Sequence, residues 1–424
     1  MPRVGLAYQL TPKTTLRAGA GLFYDTIGVN KTAAIQTGFS QATPIQASLD
    51  SGLTYVATNA NPLPAGLIKP LGPAGGLATN LGQSIDFYNP SLRHPYSARW
   101  SFNVQRLLPG QFLAEAGYVG NRGTRLIVDR DLNNTPARYL STKATRDQQL
   151  IDFLTAQFSS PFSGVNPIFG ARMSRANLLR PFPQFGGVTL EDPVGYSWYH
   201  SLQARAEKRF SYGYTFQVNY TFSKLMEATA FLNATDPMPY EAISSMDRPH
   251  RVAASGIWEI PVGRGRRFGA TMPGVVNFVA GGWQLCGIVI RQAGAPLRFG
   301  NIIFNGDVRD IALPKSGRSA DRWFNTAAGF NRNSAEQLAN NIRTFPLRLS
   351  GARSDGQSGW DLSVLKSFAA GDKARAEFRA EAYNALNHPS FNAPNVAPVN
   401  SAFGTITATS GDARNWQLAL KVTF

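Results

Sequence analysis

Four histidines, His94, His200, His250 and His388, are the side chains of this sequence best suited to bind a metal or relay a proton. Their spacing supports neither role. No pair stands in the HExxH arrangement, and the single cysteine, Cys286, offers no second thiolate. His250 lies in Arg248-Pro249-His250-Arg251 and reads as the entrance of a strand; His388 precedes Pro389 in loop-like sequence. No GxSxG elbow or Walker loop occurs. Gly263-Arg264-Gly265-Arg266-Arg267 has the glycines of a phosphate cradle without the strand–loop–helix setting that aims N–H groups at an anion, so it reads as a turn. We expect no catalytic residue, no metal ligand and no cofactor, hence a protein that is not an enzyme.

What remains is electrostatic. Arg375, Glu377, Arg379 and Glu381 alternate with Ala376, Phe378, Ala380 and Ala382. Paired carboxylates can do acid–base work, but alternating signs on one strand face are also what the polar interior of a β-barrel needs. Together with Arg205, Glu207 and Arg209, these residues are expected to face a lumen, forming cross-strand ion pairs or contacts to a plug.

The elements that position them follow a period of two, in segments of about ten residues. At the end of the chain Trp416, Leu418, Leu420, Val422 and Phe424 share one face, while Gln417, Ala419, Lys421 and Thr423 share the other. Similar segments come in pairs joined by tight turns at Thr11-Pro12-Lys13, Pro109-Gly110, Ser211-Tyr212-Gly213 and Gly371-Asp372. A longer Gly/Arg-rich link joins Val252–Ile260 to Trp283–Val289. Between the pairs lie long stretches rich in Pro, Asn, Ser and Gly: roughly Asp25–Pro95, Gly120–Gly195, Leu225–Asp247, Ala293–Arg353 and Asn387–Asn415. Short turns on one side and long loops on the other predict an all-β, antiparallel transmembrane barrel with about eleven strands present. A further pairing segment is expected near Phe403–Thr409, and the best helix candidate is Ser334–Asn341. Aromatic residues at strand ends (Tyr24, Trp198, Tyr214, Trp258, Trp283, Trp360) suit the two water–lipid boundaries.

Composition agrees with this reading. Hydrophobic residues make up 43% of the 424 residues, and the 40 glycines and 27 prolines suit turns and loops. No run of about 18 apolar residues is present, as a spanning helix would need. A barrel strand needs none, because only alternate residues meet lipid. The net charge of +16 is dispersed and accompanied by no recognition module, which argues against nucleic acid. Basic loops suit anionic lipid headgroups or anionic substrates.

Met246–Arg266 (MDRPHRVAASGIWEIPVGRGR), Ala376–Pro394 (AEFRAEAYNALNHPSFNAP), Trp416–Phe424 (WQLALKVTF) and Tyr199–Lys224 resemble strands and turns of TonB-dependent outer-membrane receptors, the Oar-like group in particular. The resemblance covers most of the strand-forming sequence and not the long loops. It implies a barrel commonly of about 22 strands closed by a plug, of which residues 1–424 would be the carboxy-terminal half. The plug, an amino-terminal carboxypeptidase-like domain, the TonB box and the signal peptide would then be missing. It implies further a bacterial outer-membrane location among lipid and lipopolysaccharide, and energy passed from the TonB complex through the missing part. A transported ligand of unknown identity is implied as well, with a terminal strand read by the barrel-assembly machinery. Two rival readings are an outer-membrane anchor that presents its loops for adhesion, and a soluble all-β carbohydrate-binding protein.

Overall fold

The computed structural model describes residues 1–26, 39–70, 72–165, 169–370 and 374–423. The period-two segments form strands. First in chain order are β1 (Arg3–Thr11), β2 (Thr14–Tyr24), the short β3 (Ile85–Tyr88), β4 (Tyr96–Leu108) and β5 (Phe112–Asp131). Then come the short β6 (Gln157–Ser159) and β7 (Arg172–Ser174), β8 (Val188–Ser211), β9 (Tyr214–Ala228), β10 (Ala242–Ile243) and β11 (His250–Glu259). The last are β12 (Trp283–Gln292), β13 (Pro296–Leu297), β14 (Leu349–Arg353), β15 (Gln357–Ala370), β16 (Ala374–Tyr383) and β17 (Asn415–Thr423).

Eleven strands form one meander in the order β1-β2-β4-β5-β8-β9-β11-β12-β15-β16-β17. Every neighbouring pair along it is antiparallel. The expected strand number and class are therefore observed. The sheet is open, with β1 and β17 at its edges. One end carries the tight turns and the 260–282 link, which includes a helix over Gly274–Ala280. The other carries the long connections. Phe424 and the turn residues Gly371 and Asp372 lie outside the described residues.

The register carries the geometry of a barrel. A row of paired residues starts at the short-turn end of β2 and runs Thr14, Arg106, Ala114, Ala206, Val218, Ala254, Val289, Trp360. It finishes near the long-loop end of β15. The residue of β15 at the short-turn end is Ala370, so the stagger is ten residues across seven steps of the meander. With a rise of about 3.3 Å per residue and a spacing of about 4.8 Å between strands, the strands tilt by about 45°. Outer-membrane barrels need about this tilt.

Three departures from the sequence reading concern the loops. Gly120–Gly195 is not all loop: β5 and β8 continue their pairing as far as Asp131 and Thr189, with register shifts at Thr124/Leu126 and Leu126/Val128. The helix falls at Gln148–Thr155, where the Asp147 carboxylate accepts from Leu150 N and Ile151 and Leu154 are buried. Ser334–Asn341 gives only a single 3₁₀ turn over Ser334–Glu336: Asn333 caps its start, and Gln337 turns to extended geometry and donates its side-chain amide to the Asn331 and Asn333 carbonyls. Phe403–Thr409 forms no strand. Its one bridge joins Thr409 to Phe391, and Phe403 is buried.

Phe403 belongs to a hydrophobic core made by the connections 293–356 and 384–414. Leu297, Phe299, Ile311, Phe324, Phe345 and Phe403 pack together there. The Phe299 and Phe324 rings meet edge to face at 5.1 Å, as do Phe324 and Phe403, an arrangement that aromatic quadrupoles favour. The Trp323 indole N–H donates to the Arg353 carbonyl at 2.7 Å, closing the module onto β14. These loops form a folded unit on the long-loop end. Phe324, 1% exposed, tests it: Phe324→Ala should cost the module about 3–5 kcal/mol. Limited proteolysis should then cut within 293–356 much faster while β8 and β9 stay protected; unchanged cleavage would refute a shared core.

Candidate functional site

Side chains alternate along a strand, so residues paired across strands share a face. One face is predominantly polar across the meander, with Val119, Ile257, Ile288, Ile290 and Leu365 interspersed. The row Arg17, Asn103, Gly117, Gln203, Thr221, Arg251, Gln292, Gln357 has no apolar side chain. The next row on the opposite face reads Ala18, Phe102, Tyr118, Leu202, Phe222, His250. At the far edge Trp416, Leu418, Leu420 and Val422 continue the apolar face, each well exposed. A sheet polar inside and apolar outside is what lipid on one side and water on the other require.

The charged residues expected in the lumen divide into three cases. Arg205 and Glu207 stand on the polar face of β8, 2.5 Å apart, and Glu377 and Arg379 do the same on β16. Both ion pairs run along one strand rather than across strands. The i,i+2 spacing of the charges brings them together, although the register also sets Glu115 beside Arg205 and Lys421 beside Glu377. Glu207 and Glu381 line one concavity of about 500 Å³, together with Asp361, Ser363, Ser255 and Tyr383. A neighbouring hollow of about 270 Å³ holds Arg205, Glu115 and Asn103, and the Asn103 amide donates to Glu115 at 2.9 Å. Arg209 is the second case. It falls in the register shift between Lys208 and Ser211, where pairing to β9 is interrupted, so it is not part of the ladder. Arg375 is the third: it pairs in register with Thr423 and Ala369, and its side chain lies outside the described residues.

Not every arginine in the strand patterns points inward. Arg106, Arg122 and Arg291 occupy the apolar face, as do Lys208, Lys224 and Lys366. Lys208 and Lys366 lie at the short-turn boundary and are buried, 1% and 3% exposed. Lys208 Nζ donates to the Ser211 hydroxyl at 2.6 Å and sits 4.1 Å from the Tyr214 ring centroid. Lys366 Nζ donates to the carbonyls of Val279 and Gly281 at the end of the 274–280 helix, beside Trp283 and Phe368. A cation facing hydrocarbon must find such oxygen acceptors and aromatic faces. Trp100 lies flat over Gly120 on the same face, filling the space that any side chain at 120 would need.

At the long-loop end the module is tied to the strands by two ion pairs that the sequence reading missed. Asp247 pairs with Arg353 at 2.6 Å and accepts from Leu225 N at 2.7 Å. Arg353 also donates to the Gly294 carbonyl. Glu227 of β9 pairs with Arg348 at 2.8 Å and accepts from the Ser244 hydroxyl. Burial, and then the neighbouring Arg353, lower the Arg248 guanidinium from its ordinary value. The only sequence signal was the position of Asp247, which stands just before the entrance of β11 in the stretch Met246–Arg251.

A family model described as outer membrane beta barrel domain matches residues 1–417. A search of curated proteins finds no match. Among solved structures the chain is similar to the outer membrane transporter YddB from Escherichia coli, with 10% identity, 97% of this chain and 38% of that chain covered, and a TM-score of 0.44. It is also similar to the FrpB iron transporter from Neisseria meningitidis (10% identity, 100% and 38% covered, TM-score 0.40). For the ferric enterobactin receptor of Pseudomonas aeruginosa the values are 10% identity, 100% and 40% covered, and a TM-score of 0.46. The chain thus spans well under half the length of each.

The Asp247–Arg353 pair makes a direct prediction. Asp247 is 1% exposed, so Arg353→Met should leave a buried carboxylate without its cation, at a cost of about 3–5 kcal/mol. Hydrogen exchange of β14 and of residues 244–249 should accelerate in that variant. The double variant Asp247→Asn/Arg353→Met should recover part of the protection, and a double variant as exposed as the single would exclude the pair as the anchor.

Proposed function

The chain belongs to the outer membrane beta barrel domain family and lies in the bacterial outer membrane, and from that premise we propose that it is the carboxy-terminal part of a TonB-dependent receptor barrel that takes up a ligand from outside. One observation carries the reading: a sheet with a predominantly polar inner face, tilted as in a barrel, is capped at its long-loop end by a folded loop module. The polar face supplies a hydrated path, and the module supplies a shaped surface at its mouth. The resemblance of Met246–Arg266 and Trp416–Phe424 to Oar-like receptors supports coupling to TonB through a plug carried by a preceding segment. Trp416, Leu418, Leu420 and Val422 then form the strand that the assembly machinery reads. The proposal assigns no catalytic step.

Closure supports a larger barrel to which further strands belong. β1 leads into the tight turn after Thr11, and β17 runs in the same direction, from the long-loop end towards the turn end. Joining these edges directly would pair two parallel strands. A further odd number of strands restores antiparallel pairing all round, giving the even total of single-chain bacterial barrels. Unpaired edges in hydrocarbon cost several kcal/mol per backbone group. Residues 1–424 alone should therefore yield no heat-modifiable, membrane-integrated barrel on gels, and such a product would refute the assignment.

Uptake is tested in cells that carry the intact gene. Its deletion should abolish accumulation of one class among labelled ferric chelates, oligopeptides and glycans, and dissipating the inner-membrane proton gradient should do the same. Unchanged uptake of all three, with surface attachment lost, would establish the anchor reading instead.

A further inference from the structure

Between the tight turns and the Thr124–Tyr196 row, the apolar face carries no acidic side chain among the described residues. Its ionisable groups are Arg106, Arg122, His200, Lys208, Lys224, His250, Arg291 and Lys366. The carboxylates of the same strands within this span, Glu115, Glu207, Glu227, Glu259, Asp361, Glu377 and Glu381, all take the polar face. A sorting this complete reflects what the outward face meets.

The eight groups divide by height. Lys208 and Lys366, at the turn end, are satisfied by the chain's own oxygens; Arg106 is the third group at that end. Arg122, His200, Lys224, His250 and Arg291 stand towards the long-loop end and are all exposed. None of these five has a carboxylate partner among the described residues. They occupy five consecutive strands of the meander: β5, β8, β9, β11 and β12. Gly120, His200 and Lys224 share a row; His250 pairs with Phe222, and Arg291 with Val252. The row through Arg291 meets β5 at Ala116, six residues below Arg122, after four steps. This drop is close to the stagger that the strand tilt imposes on the turn ends, so the five groups lie near one level in the membrane.

Their local geometry turns them outward. The Arg122 guanidinium lies over the Tyr196 and Trp198 rings, at 4.9 and 5.5 Å, at the level of the outer aromatic belt. His200 and His250 form two copies of one unit: Tyr118 Oη meets His200 Nδ1 at 2.6 Å, and Tyr220 Oη meets His250 Nδ1 at 2.9 Å. When the tyrosine hydroxyl donates to Nδ1, the ring proton resides on Nε2, which is left to donate to an external acceptor.

We propose that Arg122, His200, Lys224, His250 and Arg291 form a belt that binds the phosphorylated headgroups of outer-leaflet glycolipid, lipopolysaccharide, around this half of the barrel. Charge complementarity and height select this occupant. A row of three cations and two imidazole N–H donors at the headgroup level of one leaflet, with no acidic side chain on its face, matches a lipid that presents several phosphates per molecule. The inference rests on outer-membrane placement and not on what the barrel takes up.

The test uses the intact protein extracted from outer membranes in mild detergent and returned to phosphatidylethanolamine bilayers containing either lipid A or the same lipid A with its phosphates removed. Lipid A retained per protein is measured by mass spectrometry. The unmodified protein should retain the phosphorylated form several-fold better. The combined variant Arg122→Gln/Lys224→Gln/Arg291→Gln should lose that preference, while Arg106→Gln at the opposite boundary should keep it. Equal retention of the two lipids by unmodified protein would overturn the belt, as would equal losses in the triple and Arg106→Gln variants. Heat-modifiable migration checks assembly of each variant; if the triple variant fails to assemble, the three single variants and the comparison of lipids on unmodified protein still decide.

Discussion

Inside a bilayer every backbone N–H and C=O must find a partner within the protein, and the rest of this structure depends on that constraint. It explains why the long strands form one uninterrupted antiparallel ladder from β1 to β17, with irregular backbone confined to the ends. It also explains the stagger. A sheet that must curl until its edges meet has to tilt its strands, and the register from Thr14 to Trp360 shows this tilt in an open sheet.

The second consequence concerns where stability resides. A wall one sheet thick has no interior, so its apolar side chains face outward and exposed, from Leu6 on β1 to Leu420 on β17. The buried apolar cluster lies instead in the long connections, where Phe299, Phe324 and Phe403 do what core residues do in a water-soluble domain. The Asp247–Arg353 and Glu227–Arg348 pairs join this module to the strands at the point where the membrane wall ends. Buried ion pairs suit that junction, because they fix one orientation of two elements that share little apolar surface.

The strands were legible in the sequence because alternation is local: Trp416 to Val422 announces its face without reference to any other segment. The loop core was not legible. Its members are scattered from Leu297 to Phe403 among Asn, Pro and Gly, and they become a cluster only when two connections separated by β15 and β16 fold together. The helix at Gln148–Thr155 was hidden for a related reason, since its buried positions, Ile151 and Leu154, are only two. That Arg205, Glu207, Glu377 and Arg379 share the polar face of their strands was readable from period two, but their pairing along rather than across strands was not. The register sets Glu115 beside Arg205 and Lys421 beside Glu377 as well, so alternation leaves both arrangements open and the side-chain geometry decides between them.

The most informative positions were those that spoiled a pattern. Reading the outward face of β8 as Trp198, Leu202, Ala204 and Ala206 passes over His200. Reading β15 as Trp360, Leu362, Val364 and Phe368 passes over Lys366. A polar residue on a lipid face costs several kcal/mol at mid-membrane and little at the boundary, so its presence reports its depth. Lys366 marks the turn-side boundary and meets the cost with carbonyls of the 274–280 helix. His200 marks the opposite boundary, with only a tyrosine hydroxyl from its own chain. The two boundaries are thus chemically unlike: one is completed by the protein's own oxygens, and the other presents cations outward. An asymmetric membrane with a phosphorylated outer leaflet is the surrounding in which both arrangements are stabilising at once.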